Sequence, residues 1–320
     1  MIKLDRVVKE YTPGKPVVNQ VSFDVGEGET LVLLGTSGSG KTTTLRMINR
    51  LVEPSSGQIF VGGKDIRDVA PETLRRGMGY VLQQSSLFPH YTVAENVAVV
   101  PRLLRWDARR MAERTTALLE KLHLPPGQYL NAYPAELSGG QAQRVGLARA
   151  LAADQPILLM DEPFGALDPI TRAHVRRDFR GLDEVQKKTV LLVTHDVTEA
   201  LELGDRICLM DEGRIAQWGT PAELLLKPAS EFVRTFFDGE RVFLELGVVT
   251  VRDVWIQLSS VSPGKFGAIL PAAASLRQAL EAALSAGDGR VCIDNDGRIK
   301  WIDSGRIMDA YHAYKNGKHA

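Results

Sequence analysis

A glycine-rich segment near the N-terminus has the residue types and spacing that bind phosphate. Gly35-Thr36-Ser37-Gly38-Ser39-Gly40-Lys41-Thr42 matches the pattern G-x-x-x-x-G-K-[ST]. Glycines allow backbone N–H groups to converge on phosphate oxygens at a helix N-terminus, where the helix dipole is positive. Lys41 then supplies a charge to the β- and γ-phosphates, and Thr42 supplies a hydroxyl to Mg²⁺. We therefore predict that this segment, called the phosphate loop below, binds a nucleotide.

Two acidic residues that could complete such a site follow a short apolar segment. Ile157 to Met160 reads as a buried strand, and Asp161 and Glu162 stand at its end. Beside a phosphate loop, we predict that Asp161 ligates Mg²⁺ and that Glu162 polarises an attacking water. The alternative is a solvated strand end with no chemical role.

A second glycine-rich loop lies well after the first. Leu137-Ser138-Gly139-Gly140-Gln141 opens a predicted helix from Gln141 to Ala153. The Ser138 hydroxyl and the glycine N–H groups at such a helix start can bind an anion. The alternative is a helix N-cap turn in which Ser138 is the capping residue.

The composition restricts the class of protein. A length of 320 residues is enough for two domains, one of them a full-sized α/β unit. The 39 basic and 39 acidic residues balance, so the overall charge indicates neither nucleic acid nor an anionic membrane as a partner. Cys208 and Cys292 lack metal-type spacing and are interpreted as reduced structural thiols of a cytosolic protein.

The sequence offers no segment of its own for entering a membrane. No apolar run approaches the roughly 18 residues that a spanning helix needs. The opening residues, Met1 to Asp5, do not resemble a signal peptide. We expect any role at a membrane to come through a partner.

The apolar pattern predicts a mainly parallel sheet covered by helices. Short apolar runs typical of buried strands are Thr30–Leu34, Gly79–Leu82, Ile157–Met160, Val190–Thr194 and Arg206–Met210. Helical patterns occupy Lys41–Leu51, most of Thr92–Leu122, and Gln141–Ala153. Alternating residues at Ile2–Val8 and Val17–Val25 predict half-exposed antiparallel strands.

The residue pattern of the sequence changes after Phe237-Asp238-Gly239-Glu240. We therefore predict a domain boundary near residue 239. A small β-α-β unit is predicted beyond it. Its parts are Val248–Leu258, the helical Ser275–Ser285, and a hairpin from Arg290 to Ile302 with its turn at Asn295-Asp296-Gly297.

These features together resemble the ATP-binding-cassette (ABC) ATPases. Leu137–Gln141 is similar to the signature loop of that family. The family's other marks follow in its own order, namely the phosphate loop, Gln83, the signature loop, Asp161-Glu162, Ala166-Leu167-Asp168 and His195. The resemblance covers residues 1–238. It implies a RecA-like α/β core that binds ATP and Mg²⁺, with an antiparallel β subdomain and a helical subdomain at about 86–153.

The resemblance also implies roles for single positions. Tyr11 would stack on adenine, with an exposed turn tyrosine as the alternative. Gln83 would sense Mg²⁺ and the attacking water, although the adjacent Gln84 could be this glutamine instead. Asp168 would belong to the loop that communicates across a dimer, and His195 would contact the γ-phosphate.

In this family, ATP lies between the phosphate loop of one subunit and the signature loop of the other. The chain has one phosphate loop, continuing to Thr43, and one signature loop, with Ser138, Gly139, Gly140 and Gln141 at its helix start. The resemblance therefore implies a homodimer with two ATP sites.

Other segments narrow the resemblance to importers. Leu87–Val97 resembles the region that receives the coupling helix of a membrane permease, with a proline-containing entry to the helical subdomain as the alternative. Three segments resemble the quaternary-amine and osmoprotectant uptake group, which takes up glycine betaine, choline or carnitine. They are Lys41–Pro54, Gly79–Gln84 and Pro134–Gly140. An importer for another small polar solute is the alternative. The implied partners are permease subunits and, indirectly, an extracytoplasmic substrate-binding protein, with the chain peripheral at the cytoplasmic face of the membrane.

The C-terminal unit resembles a single cystathionine-β-synthase (CBS) motif, carried by Val251–Val254, Ser275–Leu280 and Val291–Gly297. That family's closing T-x-x-D, which contacts ribose, would align with Asp303 and Arg306, and the departure leaves nucleotide binding there in doubt. A lone motif exposes a face that a second copy normally covers. We expect the two modules to pair across the dimer and to tune transport to ionic strength or solute stress, with an inert packing module as the alternative.

Rival classes fit less well. ABC ATPases of translation or DNA repair usually carry two cassettes or long coiled-coil insertions, and neither is visible in the sequence. A P-loop kinase would have no use for the signature loop. Because the sequence lacks these features of translation and DNA-repair ATPases, we expect no nucleic-acid partner.

Overall fold

A computed structural model of the chain describes residues 1–83, 86–165, 167–264 and 269–318. Its Cα positions divide into two compact units, Met1–Trp218 and Gly219–Ala320. The domain boundary expected near residue 239 stays a prediction. Within the described ranges, no helix combines the length and apolar character needed to cross a bilayer.

The regular elements are numbered in chain order. The strands are β1 (Ile2–Thr12), β2 (Lys15–Val25), β3 (Thr30–Gly35), β4 (Ser56–Val61), β5 (Lys64–Asp65), β6 (Met78–Val81), β7 (Ile157–Asp161), β8 (Thr189–Thr194), β9 (Arg206–Asp211), β10 (Arg214–Gly219), β11 (Ile269–Pro271), β12 (Arg290–Asn295) and β13 (Arg298–Asp303). The helices are α1 (Lys41–Ile48), α2 (Pro71–Arg76), α3 (Val93–Val97), α4 (Val99–Leu103), α5 (Ala108–Lys121), α6 (Pro126–Tyr129), α7 (Gly139–Leu151), α8 (Pro169–Gly181), α9 (Asp183–Gln186), α10 (Val197–Leu203), α11 (Pro221–Leu226), α12 (Glu231–Phe236), α13 (Arg241–Val248), α14 (Leu276–Ser285) and α15 (Ser304–Lys318).

The predicted parallel sheet is present in the first unit. Its strand order is β10-β9-β3-β8-β7-β6, and neighbouring strands from β9 to β6 run parallel. β7 and β8 are buried along their whole length, as expected of strands covered on both faces. Cys208 on β9 is free and fully buried, and this burial raises the pKa of its thiol to about 12. The predicted structural role of this cysteine fits that environment.

A second, antiparallel sheet has the order β2-β1-β4-β5. β1 pairs with β2 on one side and with β4 on the other, with Ile2 opposite Val25 and Val61 respectively. Buried and exposed residues alternate over much of β1 and β2, which confirms the antiparallel strands read from the sequence. β4 and β5 were not predicted.

The segment with a mostly helical pattern between residues 92 and 122 forms three helices, α3, α4 and α5. α3 begins with a capping box, in which the Thr92 hydroxyl accepts from the Glu95 N–H and the Glu95 carboxylate accepts from the Thr92 N–H. α4 ends before Arg105, whose φ of 58° is left-handed, and α5 begins after the cap residue Asp107. α3, α5 and α7 pack on one another.

The strand order determines where functional residues meet. Carboxyl ends of parallel strands lie at one edge of a sheet, and ligands bind outside that edge. β3 ends in the phosphate loop, β7 ends at Asp161, and β8 is followed by His195. Gln83 follows β6 at the end of the same sheet. Residues far apart in sequence therefore gather at one edge.

The second unit contains a three-stranded sheet of order β11-β12-β13. β11 runs parallel to β12, and β12 pairs antiparallel with β13. The predicted hairpin turn is present, since Asp296 and Gly297 have φ of 54° and 86° and Asp294 Oδ1 accepts from the Gly297 N–H at 2.8 Å. α14 packs on this sheet and on α13 and α15.

One predicted element of this unit is wrong. Val248–Leu258 was expected to supply the first strand, but α13 ends at Val248 and the following residues form turns. The first strand is instead β11, just before α14. Buried Val249, Val251 and Val254 produce the apolar pattern without a strand, because they pack beneath turns.

A buried carboxylate joins α13 to α15 within the second unit. Glu245 is fully buried and accepts from Arg241 Nε at 2.8 Å, from Lys315 Nζ at 2.7 Å and from the Tyr311 hydroxyl. These partners lower the pKa of Glu245 although burial opposes them. Asp303, which aligns with the first residue of the T-x-x-D motif from which this chain departs, accepts from the Arg306 N–H at 2.9 Å at the start of α15.

Leu33→Ala tests the central position of β3. Leu33 is fully buried in a strand flanked by β8 and β9, so we expect the free energy of unfolding to fall by about 2–5 kcal/mol. Urea unfolding measures this loss. Two control variants set the scale of the loss. Leu224→Ala removes a fully buried side chain, and Leu51→Ala removes one that is 48% exposed. A loss at Leu33 no larger than at Leu51 would contradict the placement of β3 in the core.

Candidate functional site

The phosphate loop connects the end of β3 to the start of α1. Gly40 has a φ of 96°, and a Cβ placed on it would lie 2.5 Å from the Val17 carbonyl oxygen. Gly35 also lies directly against backbone, at the Met210 carbonyl. Side chains at these two positions would push the loop away from the sheets that support it. The glycines of the predicted pattern are therefore required by tertiary contacts as well as by the phosphate chemistry.

Lys41 is buried at the centre of this loop. Its Nζ donates to the carbonyl oxygens of Gly35 and Thr36, both at 2.8 Å, and to Ser39 Oγ at 3.4 Å. Burial lowers the pKa of Lys41, while the nearby Glu162 and Asp161 carboxylates partly offset this effect. The ammonium is thus held inside the loop by weak neutral acceptors that a phosphate oxygen could replace.

Asp161 is fully buried at the end of β7, and only one of its oxygens has a hydrogen-bond partner. Thr42 Oγ1 donates to Oδ1 at 2.8 Å. Oδ2 lacks such a partner among the described residues, and the nearest cation is the Arg46 guanidinium at 3.9 Å. Burial raises the pKa of Asp161. A buried carboxylate oxygen without a donor, beside a hydroxyl, is the donor set that Mg²⁺ prefers, so Thr42 and Asp161 fit that ion.

Glu162 is held at both carboxylate oxygens by the residues predicted to act with it. Gln83 Nε2 donates to Oε2 at 2.9 Å, and His195 Nδ1 lies 3.1 Å from Oε1. The Glu162 backbone has a left-handed φ of 47°, and its N–H donates to the Val193 carbonyl of the neighbouring strand. This backbone turn moves the Glu162 side chain out of the sheet, where 21% of it is exposed. The structure therefore brings Gln83, Glu162 and His195 together.

The segment carrying His195 is fixed from both sides. The Asp196 N–H donates to Thr194 Oγ1, and Asp196 Oδ1 accepts from the Glu199 N–H, both at 3.0 Å. Arg172 and Arg176 on α8 approach Asp196 Oδ2 at 3.5 and 3.8 Å. His195 itself stays 60% exposed, so its ring can reach Glu162 and solvent.

Glu199, which the sequence pattern does not single out as a functional residue, supports this segment through a hydrogen bond to Thr194. Glu199 is 3% exposed, and its Oε2 accepts from Thr194 Oγ1 at 3.0 Å. Burial is the main cause that raises its pKa to about 8. The spacing Asp196-x-x-Glu199 is a helix-start signal that could have placed Glu199 in the first turn of α10, but its burial depends on packing.

The signature loop forms the N-terminus of α7 in the form of a capping box. Ser138 Oγ accepts from the Gln141 N–H at 3.3 Å, and Gln141 Oε1 accepts from the Ser138 N–H at 2.8 Å. Gln141 Nε2 also donates to the Tyr129 hydroxyl at 2.9 Å. The N-cap interpretation of Ser138 is thus realised in this chain, and it leaves the exposed helix start available to an anion.

The remaining predicted residues have different surroundings. Tyr11 is 62% exposed, with Lys9 Nζ 5.0 Å from its ring centroid, and Thr43 lies in the first turn of α1. Asp168 caps α8 by accepting from the Thr171 N–H at 3.0 Å. Gln84 and Ala166 lie outside the described residues. The roles assigned to Tyr11, Thr43 and Asp168 stay predictions.

The edge of the sheet thus combines a phosphate loop, a Mg²⁺-type oxygen pair and a carboxylate held by an amide and an imidazole. A family model described as ABC transporter matches residues 18–165, which include most of these groups. The chain belongs to the ABC transporter family, as an ATP-binding protein of that family.

The similar curated proteins are transport ATP-binding proteins. The chain is 51% identical over 242 residues to the glycine betaine/carnitine/choline transport ATP-binding protein OpuCA of Bacillus subtilis, covering 76% of this chain and 63% of that protein. It is 50% identical over 266 residues to the osmoprotectant import ATP-binding protein OsmV of Salmonella typhimurium, covering 82% of this chain and 70% of that protein. The chain thus spans less than two thirds of the length of the first relative and slightly more than two thirds of the length of the second.

Solved structures of ABC cassettes share the fold. The dimeric structure of MJ0796, a bacterial ABC transporter cassette, is 35% identical and superposes with a TM-score of 0.63, covering 69% of this chain and 98% of that one. A post-hydrolysis dimer of the same cassette, bound to ADP and Pi, gives a TM-score of 0.63 at 34% identity, with the same coverage. The predicted α/β ABC ATPase core is confirmed.

Glu199→Gln tests the buried carboxyl beneath His195. The folded-state pKa of about 8 lies above the ordinary value of 4.5, so folding favours the protonated acid. The stability that this proton supplies is complete below pH 4.5 and is lost as the pH rises towards 8. Glutamine resembles the neutral acid, so we expect the variant to gain stability relative to the wild type between pH 5.5 and pH 8.5.

Urea unfolding of both proteins at these two pH values measures the effect. The control is Glu72→Gln, at an exposed glutamate on α2, for which no such pH-dependent gain is expected. The groups facing Glu199 are Asp196, Arg176 and Arg172, and they are unchanged in the variant. An equal difference from the wild type at both pH values would show that Glu199 is charged throughout this range.

Proposed function

We propose that the chain is the ATP-hydrolysing subunit of an importer for osmoprotectants of the quaternary-amine class. The proposal of ATP hydrolysis depends on one observation. Gln83 and His195 hydrogen-bond to the two carboxylate oxygens of Glu162, next to the buried Lys41 and Asp161. A protein that only bound nucleotide would not need an oriented carboxylate at this position. The names of the relatives support the substrate class.

Each group at the sheet edge has a definite task in this proposal. Lys41 exchanges its loop carbonyl partners for the β- and γ-phosphate oxygens, and the backbone N–H groups of the phosphate loop orient the same phosphates. Thr42 and Asp161 would hold Mg²⁺, and the bound ion would neutralise charge on the phosphates. Positioning and electrostatic stabilisation by these groups then supply most of the rate.

Glu162 orients and polarises the attacking water. Its carboxylate can accept a proton from that water only if its free lone pairs point to the γ-phosphate, and Gln83 and His195 fix this orientation. His195 is also exposed enough to contact the γ-phosphate when ATP is present. His195 would therefore connect the state of the nucleotide to the catalytic carboxylate.

The working form in this proposal is a homodimer with two ATP sites. Within one chain, the hydrogen bonds of the signature loop lead to Tyr129 on α6, and those of the phosphate loop lead to Asp161 on β7. A second copy would bring its Ser138 and Gly139 over the phosphate loop of the first. The dimeric structures of the similar cassette support this arrangement.

The region between Leu87 and Val97 is the proposed contact with permease subunits at the cytoplasmic face of the membrane. Asn96 is fully buried and ties this region together, accepting from the Phe88 N–H at 2.8 Å and donating to the Tyr91 carbonyl at 3.1 Å. Phe88 and Tyr91 are 48% and 38% exposed, with ring centroids 5.4 Å apart. A rigid backbone that presents two aromatic rings suits the docking of a helix from another subunit.

The cargo is recognised elsewhere, by a permease and an extracytoplasmic substrate-binding protein, so its assignment rests on the relatives alone. An importer of another small polar solute would use the same ATPase. Uptake of labelled glycine betaine, choline and carnitine by cells that contain or lack the chain distinguishes the two. Co-purification with a membrane permease, rather than with ribosomes or DNA, tests the transport role itself.

Glu162→Gln tests the assigned role in hydrolysis. The amide keeps the size of the side chain and can still bind Gln83 or His195, but it cannot accept a proton from water. We expect ATP binding to be retained, ATP turnover to fall by about 10²–10⁴-fold, and an ATP-bound dimer to accumulate. Phosphate release and size-exclusion chromatography with ATP measure these effects.

The matched control is Glu212→Gln, because Glu212 also has a left-handed φ, at 43°, and lies in the turn between β9 and β10. It should leave ATP turnover unchanged. Near wild-type turnover in Glu162→Gln would show that another group activates the water.

A further inference from the structure

An exposed corner of the first unit carries an unusual combination of side chains. Residues 102–110, with the sequence Arg-Leu-Leu-Arg-Trp-Asp-Ala-Arg-Arg, join α4 to α5 and are called the arginine corner. All of them are exposed except the half-buried Trp106. Leu103 is 56% exposed and Leu104 is 39% exposed. Four arginines and one aspartate occupy this segment, although the whole chain has balanced charge.

The backbone of this corner is fixed. The Trp106 N–H donates to the Pro101 carbonyl at 3.1 Å and the Arg105 N–H donates to the Arg102 carbonyl at 3.0 Å, which is the double hydrogen bond that ends many helices. The position taken by Arg105, with φ 58°, is usually glycine in that arrangement. A side chain there costs about 1–2 kcal/mol. The chain therefore keeps an arginine where stability alone would favour glycine.

The charges of the corner are largely uncompensated. Arg109 pairs with Glu113 at 2.7 Å. Arg102, Arg105 and Arg110 have no ion-pair partner within the described part of the chain, and the Arg110 guanidinium stacks on Trp106, 3.5 Å from the ring centroid. The Asp107 side chain accepts from the Arg110 N–H at 2.8 Å as the cap of α5. The corner thus presents unpaired guanidinium groups around two outward leucines.

We propose that the arginine corner binds directly to the anionic headgroup layer of a lipid membrane. Guanidinium groups bind phosphate oxygens strongly, and leucine and tryptophan side chains beside them are stabilised at the boundary between headgroups and acyl chains. Charge complementarity and the outward leucines favour this occupant over an acidic protein segment. The proposal goes beyond the proposed function, in which the chain reaches the membrane only through a permease.

Vesicle binding by the intact purified chain tests the proposal without nucleotide or permease. Vesicles of equal parts phosphatidylglycerol and phosphatidylcholine are compared with vesicles of phosphatidylcholine alone, by flotation at low and high salt. We expect binding to the anionic vesicles that weakens with salt, and little binding to the neutral ones. Because ATP turnover plays no part, failure here would leave the hydrolytic proposal untouched, and the reverse also holds.

Arg105→Gly separates binding from folding. Glycine relieves the left-handed backbone, so the midpoint of thermal unfolding should not fall, whereas loss of one arginine should weaken binding to anionic vesicles about fivefold. The matched control is Arg6→Gly, since Arg6 is also exposed and left-handed, with φ 45°, but lies on β1. It should bind vesicles as the wild type does.

A second variant tests the apolar part of the corner. Leu103→Ser combined with Leu104→Ser should reduce binding to anionic vesicles while the protein stays folded, because both side chains are exposed. Three results would overturn the proposal. These are equal binding of the intact chain to neutral and anionic vesicles, unchanged binding by Arg105→Gly, and no binding to anionic vesicles, which would favour an acidic protein partner instead.

Discussion

The buried Asp161 carboxylate at the end of β7 is the constraint around which the first unit is arranged. Transferring a charge from water into a protein interior is costly unless the charge is paired. Here the compensation comes from the Thr42 hydroxyl, from Arg46 at 3.9 Å and from the charge of Lys41, which are all on the phosphate loop or the helix after it. One carboxylate oxygen still lacks a hydrogen bond among the described residues, and this free oxygen is the one proposed to face the metal ion.

The same arrangement gives two adjacent carboxylates, Asp161 and Glu162, different surroundings. Asp161 ends its strand inside the sheet, whereas the left-handed turn at Glu162 directs the next side chain outwards to Gln83 and His195. The proposed division of labour follows from this single backbone turn. The inner carboxylate would hold the metal, and the outer one would act on water.

Much of the fold could be predicted from the sequence because its signals are local. The buried strands are continuous apolar runs, the phosphate loop has a fixed spacing, and the α7 start carries its own capping residues. The predictions failed where tertiary packing, and not the local residue pattern, decides the secondary structure. The apolar residues after Val248 read as a strand but pack beneath turns, and β4 was missed because its pairing with β1 is a long-range contact.

The sequence by itself determined which chemistry could be proposed for the site, since residue types and spacing limit what a phosphate loop and an Asp-Glu pair can do. Only the tertiary structure decided that Gln83 and His195 hold opposite oxygens of one carboxylate, because three different loops meet there. It also decided that Glu199 is buried and that the leucines of the arginine corner point outwards. Burial and convergence depend on which strands become neighbours, and strand order is not written in any local segment.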